Sequence, residues 1–211
     1  LARPLGIGGK TRGGGMFGSG FGRVLAVLFA ACLAAPAVVA DTTGHPPIAF
    51  AGKTYDFYKQ ERIKLGWALY FAPDHQDPDR ADQSIVVDYF DAADDKGHPI
   101  SAEGVARAMA EQDKAKGAIL LPPFATPDAA NPGKYNFFVQ LYYIYPQDGN
   151  GDIWVSKISQ ADGAVVGILY KQRVAGADSA AIGDAVRNWL LANLRNYGTA
   201  LSALIPPPAG K

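Results

Sequence analysis

The stretch that decides the fold runs from Tyr135 to Val174: YNFFVQLYYIY (135–145), PQDGNGD (146–152), IWVSKIS (153–159), QADGA (160–164) and VVGILYKQRV (165–174). In the first block Tyr135, Phe137, Val139, Leu141, Tyr143 and Tyr145 put an unbroken apolar row on one side of an extended chain, the period of two that marks a strand. Asp162-Gly163, between the second and third alternating blocks, is the signature of a two-residue type I′ hairpin, which needs positive φ at both central positions. Counting symmetrically from that turn sets Trp154 opposite Lys171 and Val155 opposite Tyr170. Ile153 and Val155 then share a face with Val166, Ile168, Tyr170 and Val174. Matching that face to the apolar row of the first block gives a three-strand meander with one inner surface.

The same parity collects a second face from Phe138, Gln140, Tyr142, Ile144, Trp154, Ser156, Ile158, Leu169, Lys171 and Arg173. It is too aromatic for an ordinary solvent face and too polar for a core. Rigid rings supply contact area and amide or cationic groups set orientation, so Phe138, Gln140, Tyr142, Trp154, Lys171 and Arg173 are the candidate ligand-binding residues. The plainer alternative is that a helix, the N-terminal segment or the Pro-rich connection covers this face as a second core layer.

Upstream of the meander, Ile63, Leu65, Trp67, Leu69 and Phe71 alternate with more polar neighbours and predict a half-buried strand. Ile85, Val87 and Tyr89, alternating with Val86, Asp88 and Phe90, predict a second. Ser101 is placed to cap a helix reaching about Gln112, with Ala102, Val105, Ala106 and Met109 on one side and Gly117 as terminator. Ala118 to Leu121 is a short strand candidate, followed by an irregular connection holding Pro122, Pro123, Pro127 and Pro132. Downstream, Asp178 or Ser179 caps a helix whose Ile182, Val186, Trp189, Leu190, Leu194, Tyr197, Leu201 and Leu204 recur at steps of three and four. Pro206 to Pro208 stop it. The fold class expected is α+β: a mostly antiparallel sheet of about five to six strands with helices packed on one face. Residues 41–60 read as a linker with a short edge strand, 61–205 as the domain and 206–211 as a tail.

Before Asp41 the chain holds Arg23, the apolar run Val24 to Leu33, and a small-residue site ending at Ala40, which resembles a secretory signal peptide. The apolar run is about half the roughly 20 residues that a spanning helix needs. Cys32, the only cysteine, lies inside this leader, so the remainder has neither disulfide nor thiol chemistry. A lipoprotein acylated at Cys32 is the alternative, although Phe29 stands where such signals carry Leu. The 20 basic and 20 acidic residues become 16 and 20 once Arg3, Lys10, Arg12 and Arg23 are set aside with the leader. That balance speaks against a nucleic-acid surface.

Two acidic clusters are candidate metal ligands. Asp148, Asn150 and Asp152 match the first three positions of a calcium loop, but Ile153 stands at the turning glycine and Ser159 at the bidentate glutamate. Asp74, His75, Asp77, Asp79 and Asp82 crowd one loop, a set that can hold a metal or perform acid–base work, and that also suits a solvated turn around Pro78. Gly52-Lys53-Thr54 fails as a phosphate loop because Pro47 occupies the required glycine. Neither a nucleophile elbow nor a cofactor motif occurs, and no cofactor is expected. The expectation is an exported envelope protein that binds a partner protein or a cell-wall or sugar ligand. The competing classes are a metal-dependent or hydrolytic enzyme using the Asp74–Asp82 loop, and a structural subunit of an envelope complex.

Overall fold

The computed structural model describes residues 45–129, 131–161 and 164–207. The leader, the acylation candidate Cys32 and the turn residues Asp162 and Gly163 lie outside them. The fold is α+β, with nine strands and two α-helices among the described residues: β1 (Ile48–Phe50), β2 (Lys53–Ile63), β3 (Gly66–Ala72), β4 (Gln83–Phe90), α1 (Ala102–Ala115), β5 (Ile119–Leu120), β6 (Phe124–Pro127), β7 (Tyr135–Tyr145), β8 (Asn150–Ala161), β9 (Ala164–Ala175) and α2 (Ser179–Ala203). All pairings are antiparallel, in the order β1-β2-β3-β4-β9-β8-β7-β5, with β6 also on β7. Two meanders are therefore sewn together along β4 and β9, where Ile85 faces Tyr170 and Val87 faces Ile168.

The sheet is larger than the five to six strands expected from sequence. The strand Lys53–Ile63 falls largely in the stretch read as linker, and its sequence KTYDFYKQERI explains why. Only Tyr55 is fully buried, and polar side chains occupy most other positions because the strand lies near the sheet edge. A bulge between Phe57 and Lys59 further breaks its alternation.

The two helices lie on opposite faces of the sheet, not together on one. Ile182, Val186 and Leu201 of α2 pack on Leu69, Phe71, Ile85, Val87, Ile153, Val155, Val166, Ile168 and Tyr170. Ala102, Ala106 and Met109 of α1 pack on Ala68, Val86, Val139, Leu141, Ile158, Val165 and Leu169. Successive side chains of a strand point to opposite sides, so both sides of the central strands are buried. Each large apolar side chain so buried contributes about 1.5–3 kcal/mol, much of it offset by ordering entropy.

Both helices begin where their caps lie in the sequence. The Ser101 hydroxyl accepts from the Gly104 amide at 3.1 Å and the Asp178 carboxylate from the Ala181 amide at 2.9 Å. All eight stripe residues of α2, from Ile182 to Leu204, join the core on its side. There Tyr170 sits within an aromatic group with Phe50, Tyr55, Trp189 and Tyr197, at ring separations of 4.7 to 6.5 Å. Its hydroxyl donates to Gln172 Oε1 at 2.9 Å, so the buried phenol is satisfied. Lys157 Nζ donates to the carbonyls of Ser202 and Leu204 at the end of α2. Tyr89 donates to the carbonyl of Pro207, which fixes the start of the tail against the domain.

Candidate functional site

On the α1 side the helix does not seal the sheet along its full length. Between them lies a cavity of about 380 Å³, within the usual range of small-molecule sites. Its floor is the outward row of three central strands: Asp152, Trp154 and Ser156 of β8, Leu169, Lys171 and Arg173 of β9, and Leu141, Tyr143 and Tyr145 of β7. Met109, Asp113 and Lys116 of α1 form one wall, and Tyr70 of β3 with Pro78 and Asp79 of the following loop forms another.

The charged groups here are arranged, not scattered. Asp152 and Arg173 face each other across β8 and β9, which brings Nε to 2.9 Å and Nη2 to 3.3 Å from the two carboxylate oxygens. The hydrogen bonds of this fork raise the guanidinium pKa against the opposing effect of burial. Tyr143 donates to Asp113 Oδ1 at 2.9 Å, and Lys116 Nζ lies 3.8 Å from the same oxygen. Burial raises the Asp113 carboxyl, although the Tyr143 hydrogen bond and Lys116 pull the other way. Burial, with Asp152 nearby, pushes the Tyr145 phenol up to about 12, and its ring stacks on Tyr143 at 5.8 Å.

Lys171 is the most enclosed charge of the site, at 3% exposure. Nζ donates to the Pro78 carbonyl at 2.6 Å. Burial depresses its pKa, opposed by Asp152, Asp79 and Asp77 and reinforced by Arg173.

Of the candidate binding residues, Trp154, Lys171 and Arg173 therefore meet in one cavity, while Phe138, Gln140 and Tyr142 lie on the other side of the sheet. The register of β8 on β9 is as counted from the turn, with Trp154 opposite Lys171 and Val155 opposite Tyr170. That of β7 on β8 differs by one residue. Tyr145 pairs with Asn150 across a four-residue connection that holds a 3₁₀ turn and Gly149 at φ 64°, so even-numbered residues of β7 share a face with odd-numbered residues of β8. Phe138 is buried and stacks on Phe124 at 4.7 Å. Together with Gln140 and Leu194 they line a shallower groove beside α2. Tyr142 packs into the α2-side core.

The acidic candidates do not converge on an ion. Among the described residues no three His, Cys, Asp or Glu side chains gather within reach of one metal. Asp152 is turned to Arg173, and Asn150 donates to the Asp148 carbonyl at 3.2 Å, so that run forms a hairpin turn. In the other loop Asp77 Oδ1 accepts from the Asp79 amide at 3.0 Å, and His75 Nε2 stands 3.9 Å from Asp56, away from its acidic neighbours. The loop reaches the cavity through its backbone: the carbonyls of Pro78, Asp79 and Asp82 accept from Lys171 Nζ, Arg173 Nη2 and the Arg173 amide. Sequence reading missed Tyr70, Ser84, Asp113, Tyr143 and Tyr145, while Ser156 stands on the face it assigned beside Trp154. The signal that could have found the β7 pair was the odd–even parity imposed by a four-residue turn.

No family model matches the chain, and no curated protein does. A solved Pseudomonas aeruginosa structure, described as a proposed regulator of unknown function, matches with a TM-score of 0.41 at 14% identity, over 78% of this chain and 99% of that one. Likeness at that level carries neither a fold relationship nor a function to this chain. Among the described residues no helix is long and apolar enough to cross a membrane.

Proposed function

We propose that the protein is an exported envelope component that acts as a non-catalytic binding module and takes a small polar ligand, a sugar unit of the cell wall, between α1 and the sheet. The observation that carries the reading is a 380 Å³ cavity lined by Tyr70, Tyr143, Tyr145 and Trp154, with Lys171, Arg173, Ser84 and Ser156 among them. Aromatic faces receive the apolar faces of sugar rings, and a few placed donors and acceptors fix their hydroxyls. The Asp74–Asp82 loop offers its carbonyls to the site by hydrogen bond, which favours binding over acid–base chemistry there. Export is supported by the basic residue, short apolar run and small-residue site ahead of Asp41.

Calorimetric titration of the folded protein with cell-wall saccharide fragments tests the binding reading. Trp154→Ala should weaken capture at least tenfold with cooperative unfolding retained. Undiminished binding would remove the cavity from consideration, and a collapse of the fold would make Trp154 a core residue. Mass spectrometry of the protein recovered from cells should find a chain starting at Asp41.

A further inference from the structure

Resting on that reading, we infer that the sugar is acidic and that the Lys171 ammonium receives its carboxylate. A lysine ammonium carries three N–H donors, and Lys171, buried at the cavity floor, has one protein acceptor among the described residues, the Pro78 carbonyl. Two donors on a desolvated cation thus remain for a group in the cavity, and leaving them unmade is expensive. Arg173 repeats the pattern two residues along the same strand. Its Nε and Nη2 hydrogens go to Asp152 and to the Asp79 carbonyl, and its Nη1 hydrogens have no partner among the described residues.

Ser84 and Ser156, at 2% and 1% exposure, also line the cavity, and neither hydroxyl is hydrogen-bonded within the described residues. Ring hydroxyls of a sugar suit these two groups, since each partner can both donate and accept. The charge balance restricts the anion. Asp152 is taken by Arg173, and Asp113 is held by Tyr143 with Lys116 close by. With Asp79 also on the wall, a doubly charged phosphate meets repulsion that a single carboxylate largely escapes.

Two matched pairs test this by calorimetry on the full folded domain: glucuronic acid against glucose, and N-acetylmuramic acid against N-acetylglucosamine. Each acid should bind at least tenfold more tightly than its neutral partner, and conversion to the methyl ester should abolish the advantage. In Lys171→Met the preference should fall to near unity. If that variant does not fold, the methyl esters alone decide, because they remove the charge without altering the protein. Equal binding of acid and neutral sugar overturns the inference and leaves the sugar site standing. Binding of none of the four overturns both.

Discussion

Asp88 offers a quantitative test of the double-sided core. It lies in β4 on the α1 face, opposite Ala68 of β3 and Gly167 of β9 and between Val86 and Phe90 on its own strand. It is 5% exposed, with neither a hydrogen bond nor an ion pair to its carboxyl among the described residues. Burial alone raises its pKa from 3.8 to about 7. Each unit is worth 1.36 kcal/mol, so the shift corresponds to about 4 kcal/mol. In acid both folded and unfolded chains are protonated here and nothing is lost. As pH rises past the unfolded pKa the unfolded chain releases its proton first while the folded chain keeps it, so this contribution drains away until pH reaches about 7. Asp88→Asn removes the titration. The measurement is urea unfolding of both proteins at several pH values from about 4 to 8, compared at equal m-value. The variant should match wild type at the acid end and gain on it steadily, by up to about 4 kcal/mol at the alkaline end. Asp113, also raised by burial, titrates in both proteins and cancels in the difference. Parallel stability profiles would refute the reasoning and place Asp88 in contact with water.

Gly66→Ala should cost about 3 kcal/mol or more in denaturant unfolding, because φ there is 153° and a Cβ would stand 1.8 Å from the Tyr89 carbonyl oxygen across the β3–β4 pair. Asp152→Asn should destabilise by about 1–3 kcal/mol, since it leaves the partly buried Arg173 without its carboxylate, and double-mutant analysis with Arg173→Met should recover most of the loss. Asp77→Ala should lower stability by about 1 kcal/mol through the lost turn bond to Asp79, and a chelator should leave the melting temperature of wild type unchanged.

The contrast between the two hairpins of the β7–β9 meander shows where sequence is legible. At the β8–β9 turn, Asp162-Gly163 dictates a two-residue connection, and the whole register follows from it, Ala161 pairing with Ala164. At the β7–β8 turn the connection contains Pro146, Asp148 and two glycines, and several loop lengths fit such composition. The apolar row then had to decide the parity, and it could not. The row Phe137, Val139, Leu141 and Tyr143 does face a core, but that of α1, while Tyr142 and Ile144 face that of α2. Periodicity identifies an inward face only when the other face is wet. Asp88 belongs to the same case, a polar residue of an alternating strand that is buried because α1 covers its face. The helices were legible because cap and stripe are local signals, as Ser101 and the run from Ile182 to Leu204 demonstrate. The cavity was half legible: Trp154, Lys171 and Arg173 share a hairpin, whereas Tyr143 depends on the parity of the four-residue β7–β8 turn and Asp113 on the docking of a helix distant in sequence.

Two helices on opposite sides of one sheet also make two unequal packing contacts. On its side α1 buries Ala102, Ala106 and Met109 and leans Val105 and Ala110 on the core, while α2 inserts Ile182, Val186 and Leu201 and leans Trp189, Leu190, Leu194 and Tyr197 on its own. Opening of α1 should therefore cost less than opening of α2, which carries the larger apolar contact. Amide exchange should run faster in α1 than in α2, through an opening whose urea dependence is smaller than that of global unfolding. The helix that borders the cavity is thus the one more weakly anchored to the sheet.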